Sequence, residues 1–304
     1  MLILYYLFRQ YPPSQILTAW QYLNVLPFCI YSIGYFIFMW FFDCWSLGWF
    51  FSHFGHPLSV RDIGPIRFAS YLLMTLNFGA GQGAFAYFLK QKKKIPFFKS
   101  SSLMLFIVLI DLYTTILLAF IGSLTTNLVV HEINLSQFIQ AIWGGSTVGL
   151  FALFLFFRLP LNWRTLKWVR TRDLFHTFHH AVPTDYLRGI MARLPMHLAL
   201  NTTLYVVAHF FQASIPLTKV LAFFPFVVLV GTIPITPSGL GTTQAAMVEF
   251  FKPHIQGVPL ENGLLSVGEL LFYIGLLFSV FNLLLKLVTG LYFLKKQDAD
   301  LPIS

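Results

Sequence analysis

Pro234-Ile235-Thr236-Pro237-Ser238-Gly239-Leu240-Gly241-Thr242-Thr243-Gln244-Ala245 interrupts a run, Val220 to Val248, that carries no charge. Two prolines and two glycines packed this closely do not continue a helix. Hydrocarbon does not tolerate an open backbone, because each unpaired N–H or C=O costs several kcal/mol there. Such a break persists only where protein or a wet cavity covers it. It is therefore the best sequence pointer to a substrate site in a membrane carrier.

The rest of the chain is built to sit in a bilayer. Apolar residues make up 57% of the 304 and charged residues only 10%, against about 25% charged in an ordinary soluble domain. Mean hydropathy is +0.72. Several runs reach the roughly 20 apolar residues that a span needs. The length allows about six to eight membrane segments. The first residues lack a signal-peptide cleavage pattern, and Arg9 follows their apolar start. Cys29 and Cys44 fall near opposite ends of one apolar run, too far apart along a helix for a disulfide. The net charge of +9 comes with no nucleic-acid module, so basic cytoplasmic loops are the better account of it.

The apolar runs and their interruptions set the expected organisation. Spans are expected at Leu23 to Phe42, Ser100 to Val130 (with Asp111 inside), Phe138 to Phe157, Leu194 to Gln212 and Leu264 to Phe293. Asp43 to Arg67 reads as mixed, with Trp45 and Trp49 suited to an interface and Arg61 and Arg67 to water. His131 to Gln137 reads as a short polar connection, and the tail from Lys295-Lys296 as disordered. Five lysines between Lys90 and Lys99, and seven basic residues against two acids from Arg158 to Arg193, place both stretches in the cytoplasm. The C-terminus then falls on the same side if Val220 to Phe251 is a re-entrant hairpin. The orientation of the N-terminus depends on whether Phe68 to Leu89 is a full span or the second arm of another hairpin.

That second possibility arises from Asn77-Phe78-Gly79-Ala80-Gly81-Gln82-Gly83. This cluster also breaks an apolar run and is followed by a small-residue helix. Matched broken segments in two halves suggest inverted repeats meeting near the bilayer midplane. The expected fold is an all-α polytopic membrane protein, a helical bundle with two broken, re-entrant hairpins. It forms one integral membrane domain over residues 1–304. Residues 1–130 are a first repeat-like half and 131–193 a connecting span with a basic amphipathic segment. Residues 194–304 are a second half with the broken hairpin and a short tail.

Here the chain resembles the transmembrane region of the lysylphosphatidylglycerol synthases. That family carries a pattern close to L-P-I-S-P-G-G-L-G-V-R-E-A-A-L, and Ile233-Pro234-Ile235-Thr236-Pro237-Ser238-Gly239-Leu240-Gly241-Thr242-Thr243-Gln244-Ala245 follows it. Asn77 and Gly81-Gln82 resemble the family's first turn, and Asp111 stands where its next acidic residue is expected. The resemblance covers roughly residues 20 to 293. Thr243-Gln244 replace an Arg-Glu pair, Gln82 replaces a Glu, and Leu109-Ile110 replace a Glu-Arg pair. Both motifs thus lose a carboxylate and keep an amide. The resemblance implies a carrier that moves a lipid headgroup across the bacterial cytoplasmic membrane. With no aminoacyl-transfer domain after Ser304, it implies no enzyme.

The candidate substrate site comprises Asn77, Gly81, Gln82, Gly83 and Asp111 with Pro234, Pro237, Ser238, Gly239, Gly241, Thr242, Thr243 and Gln244. Half-helices that end at mid-membrane offer free N–H groups and a positive dipole end, which suit an anionic phosphate. Glu249, Glu269 and Lys286 are further ionisable residues in or near spans. Asp111 has an alternative, structural reading as the partner of Lys286 or Arg193. Lys286 has one as a snorkelling lysine. Arg164, Lys167, Arg170 and Arg172 mark a basic amphipathic segment suited to headgroups at the membrane face. His176, His179 and His180 form an H-x-x-H-H box, the signal of a rival reading as a metal-dependent membrane enzyme. The other rival is a scaffold for a separate transferase. No cofactor is expected. Candidate partners are membrane lipids, a separate lipid-modifying transferase and a second copy of the chain.

Overall fold

A computed structural model describes residues 9, 11–126, 129–130, 133–159, 168, 172–232, 239–256 and 265–299. Among them eleven α-helices follow in order. They are α1 (Ile16–Gln21), α2 (Val25–His53), α3 (Val60–Leu76), α4 (Phe78–Lys93), α5 (Phe97–Thr125), α6 (Leu135–Arg158), α7 (His176–His180), α8 (Pro183–Phe210), α9 (Leu217–Thr232), α10 (Thr242–Phe251) and α11 (Val267–Ala299). Between α5 and α6 two two-residue strands, Val129–Val130 and Ile133–Asn134, pair antiparallel.

Four helices, α2, α5, α6 and α11, are long and apolar enough to cross a membrane. The helices overrun several of the expected spans. Asp43 lies inside α2, which continues to His53 rather than breaking into an interface segment. Arg188 and Arg193 lie inside α8, which starts eleven residues before Leu194. Lys295 and Lys296 are still helical, so that part of the expected tail is ordered. Asp43 and Arg193 do not end their helices because each has a buried partner, whereas Lys295 and Lys296 are exposed and need none.

The chain forms two compact units, and the long helices lend residues to both. The described parts of residues 1–39, 118–136 and 197–285 make one unit. Here α9 and α10 pack on each other. The loop before α9 and the chain after α10 are clasped where Ser214 and Gln256 exchange two backbone hydrogen bonds of 2.8 Å. Phe28 meets Phe211, Phe278 and Phe281 edge-on. The turn before α10 needs glycine twice, because Gly239 and Gly241 have φ of 70° and 98°.

Residues 40–117, 137–196 and the described part of 286–304 make the other unit. Its α3 and α4 pack on each other as a hairpin. Ser59 and Asp62 cap α3 reciprocally, and the exposed Asn77 takes an extended backbone (φ −154°) between the two helices. Its Oδ1 accepts from the Ala80 N–H at 3.1 Å and so caps α4. Gly81 is buried against Met74, where an added Cβ would fall 1.9 Å from the Met74 Cγ. Trp40, Phe68 and Phe293 stack in succession, at 4.6 and 4.9 Å between ring centres, and hold α2, α3 and α11 together.

Candidate functional site

Five helices of the second unit carry polar side chains to one buried ion network. Asp43 on α2 accepts from Arg67 Nε (α3) at 2.5 Å with Oδ2 and from Arg193 Nη1 (α8) at 2.6 Å with Oδ1. Arg193 then grips Asp111 on α5 with a two-pronged fork, Nε and Nη2 each donating at 2.7 Å. Ser46 accepts from Arg193 Nη1 at 2.9 Å. Gln82, on α4 beyond the break, accepts from Arg67 Nη1 at 3.0 Å. The Arg67 guanidinium also lies over Phe85, 5.2 Å from the ring centre. Side-chain exposure is 4% for Asp43 and Arg67, 7% for Arg193 and 23% for Asp111. Asp111 is thus the member that a ligand can reach most directly.

Charged groups pay several kcal/mol each to leave water and persist inside only when paired and hydrogen-bonded. This network meets that condition through bidentate, charge-assisted bonds. Asp111 and Arg193 pair as one of the sequence alternatives proposed. Asp43 and Arg67 were missed, and Arg67 in particular is buried rather than wet. A signal was present, since Asp43 is the sole charged residue between Arg9 and Arg61.

The C-terminal motif builds a different site in the first unit. Gln244, buried at the start of α10, turns its amide on its own helix. Its Oε1 accepts from the Gly241 N–H at 2.6 Å, and its Nε2 donates to the Gly275 carbonyl at 3.3 Å and Ser279 Oγ at 3.1 Å, both on α11. Thr242 donates to the Gly239 carbonyl at 3.0 Å. Thr243 lies at a close crossing, where a Cβ on Gly231 would come 2.6 Å from its Oγ1. Gln244 and Thr243 line a cavity of about 290 Å³ between α8, α9, α10 and α11, with Thr203, Thr232 and Ser279 among apolar side chains. No charged residue lines it.

The predicted site residues therefore fall into two groups. Asn77, Gly81, Gln82, Gly83 and Asp111 belong to one unit, with Gln82 and Asp111 linked through Arg67, Asp43 and Arg193. Gly239, Gly241, Thr242, Thr243 and Gln244 belong to the other and gather at the start of α10. Pro234, Pro237 and Ser238 lie outside the described residues, as do Arg164, Lys167 and Arg170. Arg172 is described and stacks on Trp168 at 4.0 Å.

The histidine box is short and tied down by other bonds. His176 and His180 stack at 4.3 Å, the Thr177 N–H donates to Ser102 Oγ, and Arg158 donates to the Ala181 carbonyl. Among the described residues no group of three or more His, Cys, Asp or Glu side chains is arranged to hold a metal ion. Burial and the nearby His180 and Lys99 hold His176 below the usual imidazole range. Burial and Lys99 do the same to His56 in the α2–α3 loop.

Apolar helices of spanning length, with ion pairs buried among them, define an integral membrane protein. More narrowly, the chain belongs to the family described as the lysylphosphatidylglycerol synthase TM region, whose pattern matches residues 1–293. No curated protein and no solved structure matches it.

Proposed function

We propose that the protein carries a lipid across the bacterial cytoplasmic membrane by giving its polar headgroup a protein-lined path. Family membership and the apolar helices support the setting. The lysine-rich stretch 90–99 and the basic stretch 158–193 support a cytoplasmic side for both and for the C-terminus. The observation that carries the reading is the buried network of Asp43, Arg67, Arg193 and Asp111. Ionisable groups kept inside apolar helices mark polar pathways.

The chemistry follows from the Arg193 fork. A guanidinium that binds a carboxylate with two parallel bonds fits a phosphate equally well. Asp43 holds Arg193 from behind, while the more exposed Asp111 occupies its front. A lipid phosphate displaces Asp111 from the fork, and Asp111 retakes it as the lipid leaves. Arg193 is paired at both ends of the cycle, so its desolvation cost is never left uncompensated. Short helices near the network fit this path. At about 1.5 Å per residue, α3 and α4 are each about 25 Å long, less than a full hydrocarbon crossing. This is carriage without bond-making, so the protein acts as no enzyme.

The test is lipid exchange in reconstituted vesicles. The paired variant Asp111→Asn with Arg193→Gln removes both charges together and so avoids stranding one. Exchange of labelled phospholipid between leaflets should fall at least about tenfold while the protein keeps its melting temperature within a few degrees. Exchange at the wild-type rate by a folded double variant would sink the proposal.

A further inference from the structure

The ion network does not balance. Arg67 and Arg193 are matched by Asp43 and Asp111, but Lys286 on α11 adds a third cation beside them. Its electrostatic neighbours are Arg67, which repels it, and Asp43, whose two oxygens already serve the arginines. Among the described residues Lys286 makes no ion pair. Its ammonium rests over the Tyr71 ring at 5.9 Å, on which Arg67 also rests at 5.8 Å. Two cations thus rest on one ring.

Lys286 is held in this position. Four residues further along α11, Gly290 lies so close to α3 that a Cβ there would come within 3.1 Å of the Leu72 N and 3.2 Å of the Phe68 carbonyl. Phe293 stacks on Phe68 at 4.9 Å. The side chain is half-buried, and its neighbours on the helix face, Asn282, Leu283, Thr289 and Gly290, include no anion. An ammonium in such surroundings calls for an anion. A cation–π contact with a ring already shared meets only part of that demand.

We propose that Lys286, Arg67 and Tyr71 form a seat for a phosphate-type oxyanion, and that Lys286 selects anionic over zwitterionic ligands. A lysine suits this role because its ammonium acts on phosphate as a point charge. The inference rests on the proposed carriage in naming a lipid headgroup as one source of that oxyanion; a free soluble anion is the other.

Native mass spectrometry of the full chain, purified from vesicles of equimolar phosphatidylglycerol and phosphatidylethanolamine, reads the first source. The wild type should retain phosphatidylglycerol in about tenfold excess, a difference worth one decade of affinity. Lys286→Gln should bring the ratio to about one, and Lys286→Arg should preserve it. Millimolar inorganic phosphate reads the second source. If it raises the melting temperature of the wild type but not of Lys286→Gln, without a lipid preference, the seat serves a soluble anion. The seat is refuted if neither anion is favoured, or if Lys286→Gln keeps whichever preference the wild type shows. Leaflet exchange keeps the two proposals apart. Lys286→Gln should still move lipid, with headgroup discrimination lost. A wild type that moves no lipid defeats carriage whatever Lys286 binds.

Discussion

Arg193 shows what a single residue does here. It joins α8 to α2 and α5 through four donated bonds, to Asp43, to Ser46 and two to Asp111. Replacing it with Met leaves Asp111 without its cation, while Asp43 keeps Arg67. Removing one partner of a buried pair costs about 3–5 kcal/mol. Chemical unfolding in detergent should register a loss of that size for Arg193→Met and recover much of it in Arg193→Met with Asp111→Asn. Gln244 is a quieter case. Gln244→Ala leaves the Gly241 N–H and the Ser279 hydroxyl without their partner, at about 1–3 kcal/mol, and should harm lipid exchange more than His179→Ala. The reverse order would favour the histidine box. The sequence made Gln244 conspicuous because it follows a Pro/Gly break. It hid Asp43 and Arg67, because a charge at the end of an apolar run looks wet until its partner is seen, and their partners stand 24 to 150 residues away.

At the level of elements, both breaks were legible and their roles were not. From the sequence, Asn77 and Gln82 are candidate ligands for a headgroup. In the structure Asn77 caps α4 and Gln82 binds Arg67. Periodicity and glycine spacing announce where a helix stops, but a cap and a ligand use the same polar residue types. Asn77→Ala should therefore destabilise by about 1 kcal/mol, as loss of an N-cap does, whatever lipid is present. Gly81 is less forgiving, since its Cβ would also fall 2.8 Å from the Met74 backbone Cα. Gly81→Ala forces α3 and α4 apart and should cost about 1–3 kcal/mol. The same shift draws Gln82 from Arg67, so lipid exchange should fall along with the melting temperature.

Across the whole molecule, the histidines near Lys99 set a pH response. His56 and His176 both lie outside the long helices, and burial, aided by neighbouring positive charge, lowers both. A lowered imidazole takes up its proton later in the folded chain than in the unfolded one. Folding therefore weakens as pH falls below the unfolded value of about 6.5 and stops weakening below the folded values. Amide exchange in the segment around α7, corrected for intrinsic rates, should be faster at about pH 5.5 than at about pH 7.5. Equal protection would contradict this sign. The clasp between Ser214 and Gln256 has a consequence of another kind. It brings the two ends of the α9–α10 segment side by side, so that stretch is a cassette with its own fastening. Exchanged between members of this family at those two points, it should dock without a new linker and bring its own part of the uncharged chamber's wall, so that chimaeras can assign selectivity to one hairpin at a time.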